Sequence, residues 1–539
     1  MKNTKKFAAF VASILAVACM AAPMATSFSA DAAGSIEITN AKENHTYEAY
    51  QIFDGDLSNG VLSNIVWGSG IDDTKTSDLI TAIQTIDGFS SCTDAASVAE
   101  KLAEITDFDS DTTKQFASVV GKYLSATKTD STFADGKYTI SGVDDGYYLV
   151  KDKDESLDQA HDAKTRYIVH VLGTKTEIAP KSSFPTVEKK VLEDDKDVTG
   201  KPTYDTETTE KWNDVADYCI GEAVPFKLYG TMPDTINDYT KYKYVFHDTL
   251  AAQFTAPEST AVTVKIDGEA AQGANVVVDG QNITVTFADI KKGNTITENS
   301  IVTVEYSAVL NSNAVIGLDG QQNEVYLTYS NNPNWVGTGE NDTPNDDGKT
   351  PKDAVIVFTY ELDTTKVDGT DSTKKLSGAE FKLLNADKSK EAKVDTDGKF
   401  VEWVDLDNGT KLTSGEDGLF KVIGLDDGTY YLKETKAPAG YNLLANPVEV
   451  VVTATTVNNQ EWGMTDASAA LTNLEVTAAG KAGTADTSTG VASITIANNA
   501  GSTLPSTGGI GTTIFYVAGG ALVVGAGVLL VSKKRMSNK

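Results

Sequence analysis

Residues 417–434 read Asp417-Gly-Leu-Phe-Lys-Val-Ile-Gly-Leu-Asp-Asp-Gly-Thr-Tyr-Tyr-Leu-Lys-Glu434, and residues 135–152 repeat the pattern as Asp135-Gly-Lys-Tyr-Thr-Ile-Ser-Gly-Val-Asp-Asp-Gly-Tyr-Tyr-Leu-Val-Lys-Asp152. In each segment an Asp-Asp-Gly turn separates two runs rich in β-branched and aromatic residues. This pattern predicts a strand, a tight turn and a second strand. Because the pattern occurs near both ends of the chain, we expect the first and last domains to share one architecture.

The rest of the body also has the character of a β protein. Stretches such as 276–287 and 301–310 alternate apolar and polar residues, and Asp-Gly and Asn-Gly turns separate them. This indicates a mostly β chain of tandem immunoglobulin-like β-sandwiches. Residues 74–123 differ, since their Ala, Leu and Ile recur at helical spacing, which predicts helical inserts in the first domain.

Both ends of the chain carry targeting signals. Lys2, Lys5 and Lys6 precede an apolar stretch over 7–20 and then small residues up to Ala32, as in a cleaved secretory signal peptide. Near the other end, residues 513–531 carry no charge and reach roughly 28 Å as a helix, close to the thickness of a bilayer core. The basic run 533–535 that follows would hold the far end of this transmembrane helix at the cytoplasmic face.

Composition shifts place the domain boundaries near 185 and 358. The predicted organisation is a signal peptide over 1–32, an N-terminal domain over 33–184, a middle sandwich over 185–357, a C-terminal sandwich over 358–500, and a sorting region over 501–539.

Charge and cysteine content exclude several classes of function. The formal net charge is −30, which argues against a nucleic-acid partner and suits a solvated extracellular rod. Cys92 and Cys219 lie in different predicted domains, and we expect them to be unpaired rather than bridged. The four histidines show no metal-ligand spacing, and neither a nucleotide loop nor a catalytic serine motif is present, so we predict no enzyme, cofactor or metal site.

Three polar residues of the C-terminal domain are predicted to face its interior. Strand periodicity places Lys366 on the same face as Leu362, and Asn498 on the same face as Ile496, while Glu434 follows the repeated hairpin. Apolar surroundings lower the pKa of a lysine and raise that of a carboxyl group. A neutral Lys366 could then attack the Asn498 amide, with Glu434 as the acid, to give a Lys–Asn isopeptide bond; the alternative is a plain Lys–Glu salt bridge.

The run Tyr430-Tyr-Leu-Lys-Glu-Thr-Lys-Ala-Pro-Ala-Gly-Tyr441 resembles the self-crosslinking B-type domains of the collagen-adhesin family. By resemblance to the A-type domains of that family, the middle domain carries a second trio, Lys189, Asp248 and Asn323. Lys190 is the alternative lysine, and a salt bridge is the alternative interaction. The first domain departs from the pattern, because Asn40 stands where a lysine is needed and Asp152 replaces the glutamate, so we predict no isopeptide bond there.

The segment before the transmembrane helix completes the resemblance. Leu504-Pro505-Ser506-Thr507-Gly508 is similar to the LPXTG sorting signal of Gram-positive surface proteins, which a sortase cleaves after the threonine. The whole chain resembles the backbone (major) pilins of sortase-assembled pili. In that family a lysine in a Tyr-Pro-Lys context attacks the threonine of the next subunit; Ala179-Pro180-Lys181 is a partial match, with Ala179 in place of the aromatic residue.

The resemblance implies a secreted, wall-anchored pilus shaft subunit rather than an enzyme. Its implied partners are a pilus-class sortase, other copies of itself, accessory pilins, peptidoglycan and a host surface glycoprotein or glycan, with transient membrane anchoring before sorting. The alternative function is a monomeric wall-anchored adhesin that binds a host ligand and needs no reactive Lys181.

Overall fold

The computed structural model describes residues 34–39, 45–58, 61–105, 110–153, 162–171, 175–179, 183–194, 196–204, 211–335, 342, 344, 347–460, 462, 464, 466–501 and 510–536. These residues form three successive pairs of β-sheets, and helices are few. The predicted mostly β fold of tandem sandwiches is confirmed.

The first pair of sheets contains the N-terminal copy of the repeat. Its strands are β1 (Gly34–Ile38), β2 (Tyr47–Ser58), β3 (Val61–Trp67), β4 (Thr129–Asp130), β5 (Thr132–Ala134), β6 (Lys137–Val143), β7 (Gly146–Asp152), β8 (Arg166–Val171) and β9 (Lys175–Ile178). One sheet has the order β5-β6-β1-β9, and the other has the order β3-β2-β7-β8 with β4 beside β2. The repeated segment forms the β6–β7 hairpin, as predicted.

The helical insert lies between β3 and β4. It comprises α1 (Thr76–Ile83), α2 (Ala95–Ala103) and α3 (Asp111–Val120). Asp94 and Ser110 cap α2 and α3 by accepting backbone N–H groups, which supplies partners to donors that the helix leaves free. Leu79, Val98 and Phe116 bury the apolar faces of the three helices in a core shared with β2, so the predicted inserts are confirmed.

The middle pair consists of two seven-stranded sheets around one aromatic-rich core. Its strands are β10 (Val187–Leu192), β11 (Trp212–Asn213), β12 (Val215–Asp217), β13 (Ala223–Thr231), β14 (Tyr244–Thr249), β15 (Phe254–Thr255), β16 (Thr263–Ile266), β17 (Glu269–Ala270), β18 (Asn275–Asp279), β19 (Asn282–Phe287), β20 (Ile301–Leu310), β21 (Gln321–Ser330), β22 (Asp347–Lys349) and β23 (Asp353–Phe358). One sheet has the order β11-β10-β13-β20-β16-β17, with β15 beside β20. The other has the order β12-β23-β21-β14-β19-β18, with β22 beside β21.

The last pair repeats the topology of the first. Its strands are β24 (Tyr360–Asp368), β25 (Glu380–Leu384), β26 (Lys390–Val394), β27 (Phe400–Asp405), β28 (Leu412–Thr413), β29 (Leu419–Leu425), β30 (Gly428–Lys436), β31 (Val448–Thr456), β32 (Leu471–Ala478), β33 (Lys481–Ala482), β34 (Thr484–Asp486) and β35 (Val491–Asn498), with a short helix α4 (Ala467–Ala470). The sheets have the orders β29-β24-β35-β34 and β27-β26-β25-β30-β31-β32-β33, with β28 beside β25.

The shared topology is visible in the strand pairings. β1 pairs in parallel with β9 and antiparallel with β6, just as β24 pairs in parallel with β35 and antiparallel with β29.

Beyond these sheets, α5 (Ile510–Met536) includes 23 residues from Ile514 to Met536 with a mean hydropathy of 2.3, which is long and apolar enough to cross a membrane. The signal peptide predicted over 1–32 lies outside the described residues.

The middle and last sandwiches share a continuous interface. Val215 and Ile356 of the middle sheets belong to the same apolar core as Phe381 and Leu432 of the last. At the edge of this interface the Gly317 turn lies against the Ser488–Gly490 turn, and the Leu318 N–H donates to the Ser488 carbonyl at 3.3 Å. Gly317 has φ +74°, and a Cβ added there would lie 2.5 Å from the Thr489 carbonyl carbon.

We therefore expect Gly317→Ala to loosen this junction. Positive φ costs a non-glycine residue about 1–2 kcal/mol, and the added methyl group also clashes with backbone atoms that cannot move aside. Amide exchange of residues 486–490 should become faster in the variant. The matched control is Gly280→Ala, which has φ +56° but no neighbouring atom within 4 Å; equal exchange rates in 486–490 for both variants would contradict the prediction.

Candidate functional site: buried lysine–acid–asparagine sets

The parallel strands β24 and β35 bring Lys366 and Asn498 together. Lys366 pairs with Ile496, and Asn498 is the next residue of β35 on the same face. The Lys366 Nζ donates a hydrogen bond to the Asn498 Oδ1. Lys366 is completely buried and Asn498 is 1% exposed, so this contact is closed to water. The strand periodicity that predicted inward-facing side chains at both positions agrees with this placement.

Glu434, on β30 of the opposite sheet, completes the set. The Asn498 Nδ2 donates to the two Glu434 oxygens at 2.9 and 3.0 Å, and the Lys366 Nζ lies 3.5 Å from Glu434 Oε1. Two groups of the following loop hold the set in place: Asn498 Nδ2 also donates to the Asn442 carbonyl at 2.9 Å, and the Leu444 N–H donates to Glu434 Oε2 at 2.8 Å. A carboxyl group is thus in contact with both the amine and the amide nitrogen.

The surroundings of Lys366 favour its neutral form. Its Nζ lies 5.5 Å from the centre of the Phe381 ring. Burial lowers the pKa of Lys366 from 10.5 to about 8, even though Glu434 acts in the opposite direction. A neutral amine is the form of lysine that can act as a nucleophile.

In the middle sandwich, Lys189 of β10 and Asp248 of β14 meet between the two sheets. The Lys189 Nζ donates to Asp248 Oδ1 and, at 3.2 Å, to the Tyr306 hydroxyl, which in turn donates to Asp248 Oδ2. Neither the lysine nor the carboxylate side chain is exposed. Burial lowers the pKa of Lys189, against the attraction of Asp248. Tyr306 was not singled out from the sequence, because alternating strand positions such as those of β20 ordinarily carry core tyrosines.

Asn323 lies on β21, which pairs with β14. Asp248 is opposite Val325, so Asn323 is its diagonal neighbour on the same buried face. The Asn323 Oδ1 accepts the Ala251 N–H at 2.6 Å, while its buried Nδ2 has no hydrogen-bond partner within the described residues. Lys189 and Asn323 do not share a hydrogen bond in the described part of the chain, unlike Lys366 and Asn498.

Lys190, the alternative lysine, is buried on the other side of β10. Its Nζ contacts Asp214 and lies 3.1 Å from Glu188. Burial opposes its charge, but the two carboxylates together raise the pKa of Lys190. Lys190 therefore sits in a charged cluster away from Asp248, whereas Lys189 contacts Asp248 and burial lowers its pKa.

In the first sandwich a histidine contacts Asp152, the residue that the repeat matches with Glu434. His45 Nδ1 lies 2.6 Å from Asp152 Oδ1, and His45 Nε2 lies 3.0 Å from Asp162 Oδ2, with all three side chains buried. Thr165 also donates its hydroxyl to Asp152 Oδ2 at 2.8 Å. The repeat identified Asp152 as the counterpart of Glu434, but sequence spacing gave no signal for His45.

This cluster makes the stability of the first sandwich depend on pH. Burial lowers the pKa of His45, but the hydrogen bonds that its ring donates to Asp152 and Asp162 outweigh the effect of burial and raise the pKa from 6.5 to about 9. A histidine whose pKa is raised in the folded state stabilises the fold fully at pH values below its pKa in the unfolded chain. This stabilisation, here roughly 3 kcal/mol, is lost as the pH rises through about 9. Denaturation of the first sandwich, followed from pH 6 to pH 10, should show this loss.

The control uses the exposed His170, whose replacement by glutamine should leave the pH dependence intact, whereas His45→Gln should remove it. A pH dependence that persists in His45→Gln would mean that another group is responsible.

Several predicted site residues lie outside the described residues, namely Asn40, Lys181 and the segment 504–508. Cys92 and Cys219 are both buried and unpaired, as expected. Among the described residues, the acidic groups close enough to share a cation are Asp217, Asp426 and Asp427, and the amine of Lys196 contacts Asp217 and lies 3.3 Å from Asp427. This lysine already supplies positive charge to the acidic cluster.

Comparison with known proteins relates this geometry to a class of surface protein. Residues 361–466 match the SpaA family model, a prealbumin-like fold domain, and residues 496–538 match the LPXTG cell wall anchor motif. The second match confirms the predicted location at a Gram-positive cell wall.

Two curated relatives and one solved structure are similar to the chain. The trypsin-resistant surface T6 protein of Streptococcus pyogenes serotype M6 is 27% identical over 312 residues, 54% of this chain and 50% of the relative. The fimbrial subunit type 2 of Actinomyces naeslundii is 30% identical over 267 residues, 42% of this chain and 46% of the relative. The T6 backbone pilin of S. pyogenes, with a modular three-domain structure, superposes with a TM-score of 0.50 at 17% identity, covering 88% of this chain and 100% of that chain.

The chain spans about half the length of the curated relatives that it matches. The predicted resemblance to the backbone pilins of Gram-positive bacteria is confirmed. The relatives are structural subunits, and on that ground the prediction that the chain is not an enzyme is also confirmed.

Proposed function

We propose that this protein is a structural subunit of a covalent pilus shaft, stiffened by Lys–Asn isopeptide bonds within its middle and last sandwiches. The observation that carries the proposal is the buried contact of Lys366, Asn498 and Glu434. Its context supports the function: a fold similar to a backbone pilin and a C-terminal wall-anchor motif.

The contacts of the last sandwich supply the chemistry of the bond. The neutral Lys366 amine attacks Cγ of Asn498, and its surplus proton passes through Glu434, which contacts both nitrogens, to the departing Nδ2. One ammonia leaves, and a secondary amide joins Lys366 to Asn498. Holding the reacting groups in contact replaces the entropy cost of their encounter, which is why a single-turnover reaction needs no external catalyst.

The same bond in the middle sandwich would join Lys189 to Asn323 with Asp248 as the carboxyl group. By analogy with disulfides, closing loops of this length constrains the unfolded chain by about 4–5 kcal/mol each. Unlike a disulfide, an amide cannot be reduced. This accounts for an extracellular chain whose two body cysteines are unpaired.

Intact mass tests both bonds. The mature protein should be lighter than its sequence by two ammonia molecules. Glu434→Ala should restore one of them, because the amine then has no proton carrier. Lys189→Ala should restore the other.

Lys190→Ala is the matched control for Lys189→Ala, since both lysines are buried on β10. It should still lack two ammonia molecules. Loss of the middle bond in Lys190→Ala but not in Lys189→Ala would reverse the assignment.

Polymerisation would use the C-terminal sorting signal and a lysine at the junction of the first and middle domains. A pilus-class sortase would recognise Leu504, Pro505, Ser506, Thr507 and Gly508, cleave after Thr507, and transfer its carbonyl to Lys181 of another copy. Such a head-to-tail contact does not close on itself and so produces a filament. Accessory pilins, peptidoglycan and a host surface glycoprotein or glycan are the remaining proposed partners.

We expect Lys181→Ala to abolish the high-mass ladder of wall-released protein, because the acceptor amine is missing. Lys175→Ala, in the exposed strand just before it, should leave the ladder intact. Peptide mass spectrometry of the parent material should find a branch joining Thr507 to Lys181.

A branch from Thr507 to a different lysine would support the pilus function and overturn the assignment of Lys181 as the acceptor. If Thr507 is joined only to peptidoglycan, the protein is a monomeric adhesin.

A further inference from the structure

The hydroxyl group of Tyr306 occupies a central position in the middle sandwich. It accepts a hydrogen bond from Lys189 Nζ at 3.2 Å and donates one to Asp248 Oδ2, while Lys189 also donates to Asp248 Oδ1. The three side chains form a closed ring of hydrogen bonds in a site with no exposure of the lysine or the carboxylate. Tyr306 thus touches the atom that would form the crosslink.

The two crosslinking sets differ in how the acid reaches the amide. In the last sandwich, both Glu434 oxygens accept hydrogen bonds from Asn498 Nδ2. Asp248 has one methylene group fewer, and its Oδ2 is engaged by Tyr306. Within the described residues the polar contact of Asn323 is at its other end, where Oδ1 accepts the Ala251 N–H at 2.6 Å. The shorter side chain of Asp248 is therefore hydrogen-bonded to a tyrosine, whereas that of Glu434 is hydrogen-bonded to the amide of its asparagine.

We propose that Tyr306 is a catalytic residue of the Lys189–Asn323 crosslink, where it carries a proton from Lys189 to Asp248, and that the Ala251 N–H polarises the Asn323 carbonyl. This inference rests on the proposed crosslink. Both groups touch reacting atoms, the nucleophilic nitrogen and the amide oxygen.

The proton and bond changes balance without any added reactant. As the neutral Lys189 amine bonds to Cγ of Asn323, its Nζ gives the surplus proton to the Tyr306 oxygen while Tyr306 gives its own to the ionised Asp248, so the tyrosine ends unchanged. As Nζ bonds to Cγ of Asn323, the Ala251 N–H stabilises the negative charge on Oδ1. Asp248 then returns a proton to Nδ2, the Cγ–Nδ2 bond breaks, and ammonia leaves.

The surroundings of Tyr306 suit a proton carrier. Burial, with Asp248 next to it, keeps the pKa of Tyr306 well above its ordinary value, so it remains a neutral hydroxyl that can accept and donate at once. Its ring packs on Phe226 with a centroid separation of 5.4 Å, which fixes the position of the oxygen. A phenylalanine at this position keeps that packing and removes only the hydroxyl.

The test is a pulse-labelled time course of bond formation in the full chain expressed in a Gram-positive host, with both branched peptides quantified by mass spectrometry. Tyr306→Phe should slow the Lys189–Asn323 bond by about tenfold or more, in line with the loss of a positioned proton carrier. The Lys366–Asn498 bond of the same molecules is the internal control and should form at the parent rate. Equal slowing of both bonds would overturn the inference, since the hydroxyl would then act through folding.

A second pair of variants tests the amide donor. Ala251→Pro removes the N–H and should slow the middle bond alone, whereas Ala251→Gly keeps the N–H and should match the parent.

The outcomes separate this inference from the function on which it rests. If the parent chain never forms the Lys189–Asn323 bond, the crosslink itself is wrong. If the parent forms it and Tyr306→Phe forms it equally fast, only the catalytic role of Tyr306 is wrong.

Discussion

The constraint on which this structure depends is the high free energy of an ionisable group that is cut off from water. Lys189 and Lys366 have no exposed surface, and one carboxylate lies beside each of them, Asp248 and Glu434 respectively. Burial of this kind shifts the equilibrium of an amine toward its neutral form, which is the form that can act as a nucleophile. Lys190 shows the other outcome, because two carboxylates beside it preserve its charge at a similar depth.

Much of this architecture could be predicted from the sequence, because a strand buried on one face repeats with period two. That period placed Lys366 beside Leu362 and Asn498 beside Ile496, and the repeated hairpin identified Asp152 as the counterpart of Glu434. The apolar residues of 74–123 recur at helical spacing instead, and this difference allowed the helical inserts to be predicted. The strand order of the middle sandwich was harder to predict from the sequence, since β12 pairs with β23, which lies more than a hundred residues further along the chain.

Contacts between loops and strands explain what sequence reasoning missed. His45 precedes β2 and reaches Asp162 only through the tertiary fold, so no local pattern reveals their pairing. Tyr306 looks like any core tyrosine in an alternating strand, and the Ala251 N–H has no side-chain signature at all. A residue type predicts a functional group best when that type is expensive to bury, as with lysine, and poorly when burial is its ordinary state.

The parallel pairing of β24 and β35 has a mechanical consequence. These strands are the first and last of their sandwich; Lys366 lies near the C-terminal end of β24, and Asn498 is the last residue of β35. With the proposed bond in place, a pulling force would enter through β24, cross one amide and leave after Asn498, so that the intervening strands carry no load. The first sandwich pairs β1 with β9 in the same way, but the proposed acceptor Lys181 follows its last strand in the sequence, so the first sandwich would lie outside the path of the force.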